Sequence, residues 1–525
     1  EVIEKAFHVK MNQYQHPTEN RRFYAPDREP TVDLPFQLWR IAGLDNYSKP
    51  KPEYVRKDEA STTVKPNAVF GSGPDRSFLG SDMRAAYYGG TTLTGAGQTL
   101  GLLEFAGTEL SDLKTYYANI GQTINTPIVL LSVDGTSLDC FAWQLCDDTE
   151  QTLDMTQALG MAPGLSKLVV YIGSTPDGLL NAMATYDAPP DAQLSSSWSW
   201  ALSDWTADDP YFEEFAAQGQ SFLQAAGDSG SWTENYFPTA TPLDSVYVTS
   251  VGGTALSTKT AGGAWASEDA WMDSGGGTSR YLRSFGIPSW QVTTAESCLF
   301  WCDTTYRNGP DVSAEANFDF YVCADQEGCF TEIGGTSFAA PMWAAFLALI
   351  NQQAAASGES TIGFANPLLY EIGQGTKYTK AFHDITEGGN GMYVATTGYD
   401  LVTGWGSPNG VGLINAMVAG NVTPTVTLSP TSLTFAKTAV GEMSAAKTIT
   451  LKNTSAGLLN LSKMFASSGF EISSNACGRT LAAKTSCKLT VTFTPSQVGT
   501  AMGTITLVDN AANSPQTVTL SGTGK

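Results

Sequence analysis

Residues 147–174 read DDTEQTLDMTQALGMAPGLSKLVVYIGS, and the stretch changes its period halfway. The first half sets Leu153, Met155, Ala158, Leu159 and Met161 at helical spacing; the second, KLVVYIGS, is a short apolar run closed by turn residues, as a buried strand would be. The alternation continues on both sides. QTLGLLEF (98–105), TPIVLLSV (126–133), SFLQAAGDSG (221–230) and YVTSVGGTAL (247–256) are strand-like, and stretches such as FEEFAAQG (212–219) are helical. Strands alternating with helices predict an α/β domain over residues 80–422, with a mainly parallel sheet flanked by helices and ligands at the carboxyl ends of its strands.

The chain changes character at both ends of this region. After NVTPTVTLSP (421–430), short alternating segments such as KTITLKNT, CKLTVTFTP and QTVTLSGTG predict an all-β Ig-like sandwich over residues 423–525. Residues 1–60 hold ten Lys/Arg and ten Asp/Glu, so the rest of the chain carries the whole net charge of -22. That break marks a separate front module. It leads into a polar stretch punctuated by Pro and Gly (48–77), which reads as an exposed linker, and residues 61–79 are taken as the connection.

With 525 residues and 42% hydrophobic content, the chain can bury at least one large core. Only 15% of its residues are charged, against about 25% in ordinary soluble domains. A surface with few salt bridges loses little when carboxylates protonate, so acid tolerance is expected. The acidic balance argues against a nucleic-acid partner. No apolar run reaches the length of about 20 residues that a membrane span needs. No signal peptide opens the chain, and its start reads as the middle of a domain, as truncation or processing would leave it. Eight cysteines fall as four close pairs, 140/146, 298/302, 323/329 and 477/487. Such pairs point to small-loop disulfides in an oxidising compartment; zinc ligation is the competing reading, and sequence alone leaves the connectivity open.

Three motifs carry chemistry. In EIGGTSFAAPMWAAFLALINQQ (332–353), Ser337 lies between a glycine-rich turn and the start of a helix, as a nucleophile would. Its usual base is histidine, and the chain holds three: His8, His16 and His383. Glu150 and Asp154 are four apart on the helical stretch, so their carboxyls lie side by side; they share a proton, and one pKa rises. The competing reading is a solvated acidic helix face. Asp228 follows an apolar strand in a Gly-flanked turn, where turn chemistry alone would also account for it.

Taken in order, E-x-x-x-D, GDSG and GGTSFAAP over residues 66–420 resemble the sedolisin family of serine-carboxyl peptidases, subtilisin-like in fold but with glutamate in place of the histidine base. The resemblance implies Ser337 as nucleophile, Glu150 as its base, Asp154 as the acid that orients Glu150, and Asp228 as a protonated donor to the oxyanion. FHDITEGGNGMYVATTGYDLVTGWGSPNG (382–410) resembles the family's calcium loop, which implies one Ca²⁺ held by the Asp384 and Asp400 carboxylates, backbone oxygens of Ile385, Thr396 and Gly398, and water. The loop departs from the family's Gly-Pro-Gly-Trp-Asp pattern, reading Thr396-Thr397-Gly398-Tyr399-Asp400.

Residues 1–60 resemble the last part of the family's activation prodomain, an α+β module that acts as intramolecular inhibitor until acid-triggered self-cleavage, expected at about 58–80. The tail resembles non-catalytic modules of the ASPM/SPD-2/Hydin type. The expected protein is therefore a secreted, monomeric, acid-active endopeptidase on protein or peptide substrates. The rivals are a tripeptidyl-peptidase of the same family, a hydrolase using His383, and a non-catalytic binding protein on the same fold. Sequons at Asn46, Asn421, Asn453 and Asn460 carry no decision.

Overall fold

The computed structural model describes residues 2–35, 38, 41, 43–57, 71–141, 146–188, 190–200, 207–233, 242–298, 300–420, 424–455, 457, 459–478, 480–511 and 513–525. The apolar runs become an eight-stranded sheet. Its order is Trp265–Ala270, Thr249–Thr258, Ser221–Ala225, Gln193–Ser196, Thr99–Glu104, Lys167–Ile172 and Ile128–Ser132, with Val312–Glu315 also paired to Thr249–Thr258. Every pairing in it is parallel except that of Trp265–Ala270. Both faces are covered. Leu100, Leu102, Leu168, Val170 and Val251 pack in one apolar cluster with the helices Thr149–Met161 and Thr336–Ala356. Leu103, Val169 and Tyr171, pointing the other way, join Leu179, Met183 and Phe212 in a second. The α/β class with a mainly parallel sheet is what the alternation predicted.

Both covering helices are unusually buried. All thirteen residues of Thr149–Met161 are enclosed, including both acids of the motif, so that segment presents no solvated face. Thr336–Ala356 is enclosed over its first sixteen residues, Thr336 to Asn351. Pro341 lies in its second turn and has no N–H to return to the carbonyl of Ser337, four residues back.

From Val426 to Gly524 the chain forms two sheets, of four and five strands. They enclose a separate core of Ile449, Leu451, Leu489, Val491, Phe493, Ile505, Leu507 and Val518. At the front, a helix Val2–Phe7 precedes an antiparallel hairpin of Met11–Gln15 with Arg22–Pro26. All eight cysteines are paired, as 140–146, 298–302, 323–329 and 477–487, which removes zinc as their partner.

The stretch read as an exposed linker is ordered at its start. Lys51–Pro52 pairs antiparallel with Trp198–Ser199, and Val55–Arg56 pairs with Ile333–Gly334. Its polar composition hid this, because both partners lie far away in sequence. Residues 58–70, where the start of the expected processing region falls, lie outside the described residues.

Candidate active site

Ser337 is the second residue of its helix and fully buried; its Oγ donates to Glu150 Oε2 at 3.0 Å. Glu150 is the second residue of the neighbouring helix, with Asp154 one turn further on. Asp154 Oδ1 accepts from the Ser197 hydroxyl at 2.7 Å. The same hydroxyl lies 3.3 Å from the Ser337 carbonyl, the one left without a helical donor by Pro341.

A third acid, which sequence reasoning missed, completes the row. Glu104 ends the central strand Thr99–Glu104, is fully buried, and accepts from Trp198 Nε1 at 2.8 Å. Glu150, Asp154 and Glu104 hydrogen-bond in sequence through their carboxyls. Glu150 Oε1, Asp154 Oδ2 and Glu104 Oε1 receive no N–H or hydroxyl donor from the described residues, and protons held between the carboxyls would satisfy them. Burial pushes all three pKa values up; the charges of Asp154 and Glu104 push Glu150 further, and that of Asp154 raises Glu104. No cation is among the groups that shift them. The row therefore retains protons where isolated carboxyls have lost theirs. The signal in the sequence was an acid closing the apolar run QTLGLLEF, at the strand end where an α/β sheet presents its site.

Asp228 approaches Ser337 from the opposite side, in the turn after Ser221–Ala225. Its Oδ1 accepts from the backbone N–H of Thr336 at 2.7 Å and from the Thr336 hydroxyl at 2.8 Å. Its Oδ2 is buried with no partner. Burial and the neighbouring Glu53 raise its pKa well above the carboxylate range. With Oδ1 occupied by two donors, the proton belongs on Oδ2. A Cβ at Gly335 would lie 2.4 Å from this oxygen and 2.4 Å from the carbonyl oxygen of Glu53, so only glycine, here at φ +147°, lets both border one point.

That carbonyl belongs to the front strand crossing the site. Glu53 N–H donates to the Ser197 carbonyl at 2.8 Å, and the Ser337 N–H donates to the Glu53 carbonyl at 3.1 Å. Tyr54 continues past the serine, its hydroxyl donating to Asp147 at 3.0 Å.

Ser337 thus meets the Glu53 carbonyl through its N–H and Glu150 through its Oγ, with Asp154 one turn beyond Glu150 and Asp228 bonded to the adjoining Thr336. A family model described as the subtilase family matches residues 154–362. Kumamolisin of Bacillus sp. (strain MN-32) is 31% identical over 447 residues, covering 80% of this chain and 77% of that protein. The chain belongs to the sedolisin family. It is a serine-type peptidase. The solved structure of Pseudomonas sedolisin, a serine-carboxyl proteinase complexed with two molecules of pseudo-iodotyrostatin, superposes at a TM-score of 0.56 with 26% identity, covering 68% of this chain and all of that one. Tripeptidyl-peptidase 1 of Dictyostelium discoideum is 29% identical over 287 residues, 51% of this chain and 46% of that protein. A model described as Cep192 domain 4 matches residues 423–525.

The histidines of this sedolisin-family chain lie elsewhere in its contacts. His8 meets Thr31 and Asp33, and His16 meets Glu19. His383 stacks on Trp265 with ring centres 3.9 Å apart. Asp384 and Asp400 grip one turn. Asp384 accepts from Gly398 N–H at 3.0 Å and from the Tyr378 hydroxyl at 2.8 Å, while Asp400 accepts from the backbone N–H groups of Thr396, Val402 and Thr403. Among the described residues no group of three or more His, Cys, Asp or Glu could hold a metal, so any ion here would need backbone oxygens. Two carboxylates beside such a turn supply only oxygen donors, which suits a hard cation. Among the described residues no helix is long and apolar enough to cross a membrane.

Proposed function

We propose that the chain is an acid-active endopeptidase that forms an acyl-enzyme on Ser337, with Glu150 as the base that takes the serine proton and returns it to the leaving amine. The observation that carries this reading is the 3.0 Å hydrogen bond from Ser337 Oγ to Glu150 Oε2 inside a row of proton-retaining carboxyls. Asp154 and Glu104 steer Glu150 and spread the proton it gains. As the tetrahedral intermediate forms, its oxyanion takes hydrogen bonds from the Ser337 N–H and the Asp228 Oδ2–H. The second of these needs Asp228 neutral, so the reaction belongs to acid solution.

Internal cleavage is favoured over release of tripeptides. Residues 51–56 pair with the walls on both sides of Ser337. More than forty described residues precede them, and a cleft closed to accept only three residues would have no room for that chain. Peptidase action implies protein or peptide substrates. The front module is read as an inhibitor released by self-cleavage, and the paired cysteines suit secretion. One Ca²⁺ would be held by Asp384, Asp400 and backbone oxygens of Ile385, Thr396 and Gly398, where it would fix the turn. The test is incubation of the purified chain and of Ser337→Ala with denatured protein at about pH 4 and pH 7.5, with mass spectrometry of the products. Internal cleavage at pH 4 that depends on Ser337 is expected. Tripeptides alone would select the other peptidase reading, and no product from either would point to a binding protein.

A further inference from the structure

Asp148 stands immediately before the helix Thr149–Met161, where aspartate is a good cap, yet its carboxyl bonds no N–H of that helix. Asp147 serves instead, its Oδ1 accepting from the Thr149 N–H at 3.0 Å. The Asp148 side chain, fully buried, is turned to two other segments. Its Oδ2 accepts from the Glu109 N–H at 2.7 Å and from the Thr108 hydroxyl at 3.1 Å, and its Oδ1 accepts from the Asp325 N–H at 2.8 Å. Asp325 returns the bond, its own Oδ1 accepting from the Asp148 N–H at 2.9 Å.

Asp325 lies in the tight turn between the paired strands Phe320–Ala324 and Gly328–Gly334, where the Glu327 N–H donates to the Ala324 carbonyl at 3.2 Å. Both central residues, Asp325 at φ +59° and Gln326 at φ +51°, are left-handed, a turn that favours asparagine and glycine. Neither is present, so the turn holds strain that a simpler sequence would avoid. The disulfide Cys323–Cys329 closes the hairpin behind it. In front, the Gln326 N–H and side-chain amide both donate to Asp112 Oδ2, and the amide also donates to the Cys140 carbonyl at 3.0 Å.

Each segment that meets at Asp148 carries one member of the reacting set. Glu104 precedes Thr108 by four residues, Glu150 follows Asp148 by two, and the hairpin's second strand runs on into Ser337. Glu150 lies in the first turn of its helix, where the N–H groups lack helical acceptors and the ends fray. Packing of the two helices sets how far apart their axes lie. Where that first turn comes to rest is fixed from outside, at Asp148. The serine proton passes efficiently only when Glu150 Oε2 stands in line at hydrogen-bond distance.

From this convergence we propose that Asp325 is a positioning residue for the reaction: through its paired bonds with Asp148 it holds the first turn of the Glu150 helix to the strand that leads into Ser337, and so keeps base and nucleophile in line. The proposal rests on the serine-carboxyl reading above. Asp325 acts through Asp148 and the backbone of Thr149 rather than by touching Ser337 or Glu150.

Glycine at 325 separates placement from stability. It takes φ +59° without strain and keeps the N–H to Asp148, so only the carboxyl's half of the pair is lost. Asp325→Gly in the full chain should therefore keep a Tm close to that of the wild type. Its kcat on one peptide at about pH 4, taken once the mass of the chain is constant at that pH, should fall about tenfold with KM changed less than about twofold. Asp325→Asn, whose amide oxygen still accepts from the Asp148 N–H, should recover most of that loss. In a Glu150→Gln background there is no base to aim, and Asp325→Gly should lower the residual rate by less than about twofold. Wild-type kcat in Asp325→Gly, a loss confined to KM, a loss that asparagine does not reverse, or a tenfold loss that persists without Glu150 would each overturn the positioning role while Ser337-dependent cleavage stands. A wild-type chain with no Ser337-dependent cleavage removes the serine-carboxyl reading and this role with it.

Discussion

Replacing Asp228 separates two jobs that one side chain performs. Its Oδ1 accepts from the N–H and hydroxyl of Thr336, at the first turn of the helix that carries Ser337; its Oδ2 is the unpartnered atom beside the reacting carbonyl. Asparagine can keep both, with its oxygen toward Thr336 and its N–H in the place of the proton on Oδ2. Alanine keeps neither. Loss of one oxyanion donor costs about 10²–10³-fold in kcat, or about 3–4 kcal/mol of transition-state stabilisation. Alanine also leaves the buried Thr336 N–H unsatisfied, at about 1–3 kcal/mol of stability. Asp228→Ala should therefore lose turnover by at least the first factor and also melt earlier, while Asp228→Asn should keep most of its Tm and more of its rate. The sign with pH follows from the raised pKa: the donor form exists below it and is lost as pH rises through it. An amide does not titrate, so kcat/KM of Asp228→Asn should decline less steeply towards neutrality than that of the wild type. The assay is a pH profile of kcat/KM on one peptide, with Tm measured alongside. Wild-type rate and profile in Asp228→Ala would refute the reasoning.

Ser337→Ala and Glu150→Gln should each remove most turnover, with loss of the base costing about 10²–10⁴-fold; His383→Gln, altering a ring stacked on Trp265, should leave kcat/KM near wild type in the same assay. Glu104, Glu150 and Asp154 have folded pKa values above their unfolded ones, so their contribution to stability is full below about pH 4 and drains away as pH rises through the folded values. Tm of Ser337→Ala, which cannot digest itself, should accordingly fall between pH 4 and 8, and adding Glu104→Gln should shrink the fall by up to about 1.4 kcal/mol for each pKa unit removed. Chelation by EDTA should lower Tm, and Asp384→Asn should weaken that response; a variant as sensitive to calcium as the wild type would relocate the ion.

Legibility followed the range of the interactions. Helix 149–161 and its acid pair could be read because period and spacing are local, yet nothing local told that the helix would be buried all round and its acids would not face water. Burial depended on the sheet in front and the nucleophile's helix beside it. Glu104 was silent for the same reason: an acid ending a strand gains meaning only when that strand lies next to Asp154. Residues 51–56 misled most. Lys, Pro and Glu near a Gly-rich stretch describe a linker in isolation, whereas their partners at 198–199 and 333–334 lie more than a hundred residues away.

The disulfides have a consequence for how the protein can come apart. Their partners are 4, 6, 6 and 10 residues apart in sequence, so each ring is small and contributes on the order of 2 kcal/mol through the unfolded chain. None reaches from one region to another, and the first cysteine is Cys140. As a covalent graph the molecule is an open thread with four tiny knots. A single cut anywhere before residue 140 yields two unlinked molecules, with a front piece held only by ladder hydrogen bonds and buried side chains. Dilution, mild denaturant or a competing peptide can then remove it, and the same fragments run on a gel with or without reductant.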